Sequence, residues 1–277
     1  MIALLAAAAM AAAPAPEPQP LTVGETVTLE ALGAERSVNI ILPPDYNSDP
    51  DKHWPVIYLL DGAVKQDLMM GAGLMRWGAM WGRSRDAIIV GIETKDRQRE
   101  LLPATSDAAE GAKYPTAGES AAFRTYIAET VKPLVEARYR HDGTAILVGE
   151  SAAGHFVVET WVTSPDVFDG YAALSPSFQW DHQSLSQGFA ALPPIKRPPL
   201  FLSLADEGGA TEEGALRFFA AAGPSVCFAD KRGTQVRHSN TLHQLLPEAL
   251  QFLLPTQADW LDDYGFTVSC AVGGGNR

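Results

Sequence analysis

Two kinds of apolar pattern run along this chain. "ETVTLEAL" and "RSVNIILP" alternate apolar and polar residues, the period of strands with one wet face, and predict an antiparallel pair at the start. "WPVIYLLDG", "AIIVGIE", "TAILVGE", "GYAALSP" and "PLFLSLA" are unbroken apolar runs. Such runs predict central strands of a parallel sheet covered on both faces. Helical spacing lies between them. In "ESAAFRTYIAETVKPLVEARY", Phe123, Ile127, Val131, Leu134 and Val135 fall on one helical face, and Pro133 is expected to kink the helix or begin a new one. "SAAGHFVVETWVTSP", "TEEGALRFFAAAG" and "TLHQLLPEALQFLL" read as three more helices. In "KQDLMMGAGLMRWGAMWGR", Met70, Leu74, Trp77 and Trp81 share a face that is expected to pack into the core, with an apolar wall for an acyl group as the other reading. Strands alternating with helices predict an α/β fold, a mainly parallel central sheet with helices on both faces.

Composition narrows the class. The formal net charge of -12 argues against a nucleic-acid partner, because phosphate binding leans on clustered Lys and Arg. The uncharged stretch Ile2 to Ala13 is too short to span a bilayer and ends in three alanines before Pro14, so residues 1–13 are expected to be a cleaved export signal. Residues 14–20 read as an extended linker, 21–265 as a single α/β domain and 266–277 as a flexible tail. Export would place the protein in the periplasm or outside the cell, with no stable membrane insertion. Cys227 and Cys270 could pair after export, but the reading taken is two separate thiols, with Cys227 buried in a strand.

The candidate chemistry sits in "ILVGESAAGHF". A strand delivers Ser151 to its carboxyl end, where open α/β sheets gather their sites, and a helix begins at once. A sharp turn of this kind projects a serine hydroxyl and needs small neighbours, here Gly149, Ala153 and Gly154. A serine nucleophile needs a base. Of the six histidines, His238 lies where a loop after the last predicted parallel strand meets a helix start, whereas His243 falls inside that helix. The orienting acid should follow "PLFLSLA": Glu207 and Asp206 both qualify, and a Ser–His dyad without an acid is the remaining alternative. An oxyanion hole would draw one N–H from Ala152, at the helix start, and one from Gly62 or Ala63, after "VIYLLDG". Asp61 reads as a turn former. Phe178 and Trp180 follow a strand end and are candidates to line the substrate pocket, core packing being equally compatible. Arg97 borders the same end of the sheet; substrate contact is one reading, and structural ion pairing with its loop neighbours is the favoured one. No metal-ligand spacing and no phosphate-binding glycine loop occurs, so no metal and no cofactor is expected.

At these residues the chain resembles the esterase D and enterochelin-esterase-like branch of the α/β-hydrolases, the "putative esterase" family. The stretches "PVIYLLDG", "IIVGIETKDRQRELLP", "GESAAFRTYIAETVKPLVEARYR", "LVGESAAGHFVVETWVTSPDVFDGYAALSPSFQWD" and "HSNTLHQLLPEALQFL" carry the resemblance in order across residues 35–254. It implies the α/β-hydrolase fold and a serine hydrolase acting on small-molecule carboxylic esters, with Ser151 on the nucleophile and His238 on the base. The chain departs from the family pattern in three places. Ala153 stands for the first of two glycines, "HSNT" replaces His-Gly-Ser, and Gly208 occupies the usual acid position, one residue after Glu207. The leading expectation is an esterase working through an acyl-enzyme. An acyltransferase on the same scaffold and a non-catalytic binding protein are the alternatives.

Overall fold

The computed structural model describes residues 17–193 and 195–273; the expected export signal lies outside them. Nine strands form one sheet among the described residues, in the order β1-β2-β4-β3-β5-β6-β7-β8-β9. They are β1 (Glu25–Ala31), β2 (Ala34–Ile41), β3 (Trp54–Leu60), β4 (Ile88–Ile92), β5 (His141–Glu150), β6 (Gly170–Leu174), β7 (Leu200–Leu204), β8 (Val226–Asp230) and β9 (Ala271–Val272). β1 pairs antiparallel with β2, and β2 with β4. From β4 to β8 every pairing is parallel, and β9 closes the far edge antiparallel to β8. The burial follows from the pattern: every residue of β3, β4, β6 and β7 is buried, while β1 at the edge alternates between exposed and half-buried positions.

The helices are α1 (Leu68–Met80), α2 (Arg97–Leu101), α3 (Ala108–Lys113), α4 (Ser120–Tyr126), α5 (Lys132–Arg138), α6 (Ala152–Thr163), α7 (Trp180–Ala190), α8 (Gly209–Ala221) and α9 (Thr241–Leu253). Strand pleating divides the core in two. Val56, Tyr58 and Leu147 point to one side, where Phe123, Phe156, Trp161 and Phe218 pack; Ile57, Leu59 and Val148 point to the other, against Leu68, Met75, Leu245 and Leu246. The fold is the α/β-hydrolase arrangement expected from the sequence. Between α4 and α5 the chain runs through one π-helical turn, Ile127–Val131, just before Pro133. Proline cannot donate to an α-helical ladder, and the wide turn accommodates it without breaking the rod. Phe123, Ile127, Val131 and Val135 remain buried along one side.

Three expectations are corrected. The buried face of α1 carries Leu68, Gly71, Ala72, Met75 and Gly78, whereas Met70, Trp77 and Trp81 are exposed. The helix lies so close to the sheet that a Cβ on Gly71 would sit 2.8 Å from Leu59 Cδ2, so small residues take the inner face. Second, residues 266–273 are not a free tail. The Phe266 ring packs edge-on against Trp77 at 5.5 Å and against Trp81 at 5.8 Å. Its carbonyl accepts from Gln251 Nε2 at 2.6 Å, and Ser269 N donates to Glu248 Oε1 at 2.7 Å. Third, Cys227 and Cys270 are joined in a disulfide, with Cα atoms 5.3 Å apart, because β9 brings Cys270 alongside β8.

Candidate active site

Ser151 lies between β5 and α6 with φ 61° and ψ -118°, a conformation a side-chain-bearing residue adopts only when its surroundings impose it. The surroundings do so through the main chain. Ser151 N donates to Leu174 O at 2.9 Å, and Ser151 O accepts from His155 N at 2.9 Å and Ser177 N at 3.1 Å. The small neighbours have separate reasons. A Cβ on Gly149 would lie 2.5 Å from Ala153 O, and one on Gly154 would lie 3.0 Å from Leu174 O. Ala153 itself is buried with its methyl in the core, so the turn tolerates alanine there as long as position 149 is bare.

A single turn of 3-10 helix, His238–Asn240, leads into α9 and aims the imidazole at the serine. His238 Nε2 is 2.9 Å from Ser151 Oγ, and Nδ1 is 2.9 Å from Glu207 Oε1. An ionised carboxylate only accepts, so Nδ1 carries the hydrogen and Nε2 is left to accept from the serine hydroxyl. The hydrogen bond to Glu207 holds the His238 pKa above the ordinary imidazole value; the Glu150 and Glu207 charges add to this, while partial burial and Arg97 oppose it. Asp206, the other candidate acid, sits at the cavity rim and pairs with Arg237 at 3.5 Å. His155 is buried behind the turn with Nδ1 at 2.9 Å from Ser177 O, and burial lowers its pKa. His243 is on an exposed face of α9.

The structure separates the candidate oxyanion donors. Ala152 N is the first amide of α6, at the positive end of the helix. Gly62 is corrected: its N–H donates to Ile92 O at 2.8 Å, so it is not free for an oxyanion. Glycine is required there by packing, since a Cβ would lie 2.3 Å from Gly91 Cα. Ala63 N–H donates at 3.1 Å to Gln66 Oε1, whose amide in turn donates to Thr94 O and Oγ1 at 2.9 and 3.0 Å. Gln66 and Thr94 were not singled out from the sequence; nothing in their spacing marks them.

Asp61 is buried with φ 52° and does more than turn the chain. It accepts from Thr94 Oγ1 and, at 2.8 Å, from Arg97 Nε. Arg97 Nη2 also donates to Glu150 O at 3.0 Å, so one guanidinium ties the loop after β3 to the residue before the serine. Arg97 is corrected as a substrate contact: it does not line the cavity beside Ser151, and its ion pair is with Asp61 in the loop after β3 rather than with its own loop neighbours.

That cavity, about 290 Å³, is bounded by Ser151, His238 and Glu207 and by Ser175, Ser177, Gln179, Asp206 and Thr211. Its walls are polar. Phe178 and Trp180 are corrected: both are buried in the core, Phe178 with its ring 5.3 Å from Phe218 and Trp180 with its indole N–H donating to Pro103 O at 3.0 Å. The residues of "SPSFQW" that face the cavity are the polar ones, Ser175, Ser177 and Gln179. Among the described residues, no three His, Cys, Asp or Glu side chains group as metal ligands, and no helix is long and apolar enough to cross a membrane.

Residues 30–198 match the model of the family described as "Putative esterase". The ferri-bacillibactin esterase BesA of Bacillus subtilis is 29% identical over 176 residues, 57% of this chain and 59% of that protein. The siderophore triacetylfusarinine C esterase of Aspergillus fumigatus is 30% identical over 140 residues, 46% of this chain and 45% of that protein. The chain thus spans 59% and 45% of the length of these relatives, less than two thirds of either. Among solved structures, an IroE-like serine hydrolase from Shewanella oneidensis superposes with a TM-score of 0.73 at 24% identity, covering 83% of this chain and 80% of that one. The siderophore hydrolase EstB from Aspergillus nidulans superposes with a TM-score of 0.69 at 20% identity, covering 87% and 97%. These superpositions show the fold, and the family match extends over more than half of the chain, so the protein belongs to the "Putative esterase" family of α/β-hydrolases.

Proposed function

We propose that the protein is a serine carboxylic-ester hydrolase working through an acyl-enzyme, with Ser151 as nucleophile, His238 as base and Glu207 as the orienting acid. The observation that carries the reading is the imidazole of His238 held at 2.9 Å from both Ser151 Oγ and Glu207 Oε1. Ser151 Oγ attacks the ester carbonyl while its proton passes to His238 Nε2, and Glu207 stabilises the resulting imidazolium. The carbonyl electrons move onto oxygen, held by the N–H of Ala152 and by that of Ala63 once the substrate oxygen replaces Gln66 Oε1. Collapse breaks the ester C–O bond, and the proton on Nε2 goes to the departing alcohol. His238 then deprotonates a water that releases the acid. The polar cavity walls and the siderophore esterases among the relatives favour a polar small-molecule ester over a long hydrocarbon one. Export to an oxidising compartment is part of the proposal, supported by the Cys227–Cys270 disulfide.

The test is labelling with a fluorophosphonate probe and turnover of short p-nitrophenyl esters by the wild type and Ser151→Ala. Wild-type labelling and turnover, both lost in the variant, are expected; a wild type that neither labels nor turns over sinks the reading.

A further inference from the structure

A second carboxylate faces the base. Glu150, the last residue of β5, places Oε1 3.8 Å from His238 Nε2, the nitrogen on the serine side of the ring. Glu207 serves the opposite nitrogen, Nδ1. The Glu150 carboxylate is held in place: Thr241 Oγ1, one turn beyond His238, donates to Oε1 at 2.9 Å, and the Glu150 carbonyl is fixed by Arg97. It is mostly buried, and burial holds its pKa above the ordinary carboxylate value against the opposing pull of His238, the Thr241 hydrogen bond and Arg97.

Resting on the esterase reading, we propose that Glu150 is a positioning residue for His238, its charge, 3.8 Å from Nε2, stabilising the imidazolium from the serine side of the ring. The need arises from the proton's path. Nε2 receives the proton from Ser151 Oγ and must deliver it to the alcohol oxygen rather than back to the serine. At that moment the Nε2–H must leave Ser151, and a carboxylate beside it keeps the ring charged and aligned through the change of partner. Glu207 cannot do this, because it is bonded to the other nitrogen. The remaining charges around the ring are accounted for. Asp206, beside Glu207 before α8, is paired with Arg237 on His238's own segment. Arg97 of α2 opposes protonation of the ring. Asp61, in the loop after β3, is bonded to Arg97, and Asp67, further along that loop, acts on Glu150 in the direction of protonation.

Glu150 is also a staple between β5 and α9, through Thr241, and the two roles separate by substitution. Glu150→Gln keeps an acceptor for Thr241 and removes the charge; Glu150→Ala removes both. In Glu150→Gln the acid limb of the kcat/KM profile should move down by about half a pH unit. Its kcat should fall several-fold with KM little changed, and thermal stability should stay near wild type. An unmoved acid limb in Glu150→Gln, with impairment confined to Glu150→Ala, would leave only the staple and overturn the proposal. If Glu150→Gln does not fold, Glu150→Asp, which keeps the charge but draws it back by one methylene, should move the limb in the same direction. If the wild type shows no Ser151-dependent turnover, the esterase reading fails first. The NMR titration of the His238 ring in wild type and Glu150→Gln then still decides whether the Glu150 charge acts on it.

Discussion

Adjacent carboxylates part company at the turn after β7. Glu207 N donates to Ala205 O at 3.0 Å, a tight turn that sends Glu207 to His238 and Asp206 to Arg237. The sequence places both acids within reach and cannot choose between them, because the choice rests on one backbone turn. Substitution should separate them. Glu207→Gln is expected to lower kcat by about tenfold or more, and Asp206→Asn to leave it within about twofold. The pH profile gives the sign. In the proposed mechanism His238 acts as a base only when neutral, so kcat/KM should rise with pH through a pKa held above the ordinary imidazole value by the Glu207 carboxylate. Removing that charge in Glu207→Gln lowers the His238 pKa and shifts the acid limb to lower pH; a limb that stays in place or moves up would refute the assignment. The oxyanion donors illustrate the same limit of the sequence. Residue identity says that Gly62 and Ala63 follow a strand, but not that the Gly62 amide is already bonded to Ile92 O.

Among the elements, the strands were the most legible part. Residues buried on both faces are mostly apolar, and β3, β4, β6 and the buried stretch Ala145–Gly149 of β5 carry that mark. The strand–serine–helix unit was legible for a related reason, since a close turn excludes side chains. The structure relocates where the exclusion is strictest. Gly149→Ala would set a methyl 2.5 Å from Ala153 O and should destabilise the protein by about 2 kcal/mol or more, read as a lower unfolding temperature or loss of soluble protein. Ala153→Gly, which restores the family residue, removes a buried methyl and loosens the helix start; it should cost about 1 kcal/mol and keep fluorophosphonate labelling. The reverse order of costs would contradict this account of the turn. The face of α1 was misread because that helix is apolar on two sides. Bulk favoured Trp77 and Trp81, but close approach to Leu59 favoured Gly71, Ala72 and Gly78. Phe178 and Trp180 were open for a similar reason, since an aromatic after a strand end suits a pocket wall and a core equally.

Over the whole molecule, the β8 edge of the sheet is held by packing and by covalent closure. The C-terminal segment supplies both at the β8 edge. It crosses the exposed aromatics of α1 with Phe266, is tied to α9 through Glu248 and Gln251, adds β9 to β8, and is locked by the Cys227–Cys270 disulfide. A cross-link between residues 43 apart restricts the unfolded chain by an amount worth about 4 kcal/mol on the chain-entropy account, less whatever the folded edge relaxes. Reduction, or the double variant Cys227→Ala/Cys270→Ala, should therefore lower the unfolding temperature by about 5–10 °C. It should not remove the site. Cys227 is near the start of β8, whereas Ser151, Glu207 and the loop after β3 follow the ends of parallel strands, and His238 precedes α9 rather than leaning on its tail-bound half. At 25 °C the reduced protein should still be labelled at Ser151 at close to the wild-type rate while melting earlier. If labelling were lost together with the disulfide under conditions where the fold persists, the C-terminal edge would have to be coupled to His238 through α9.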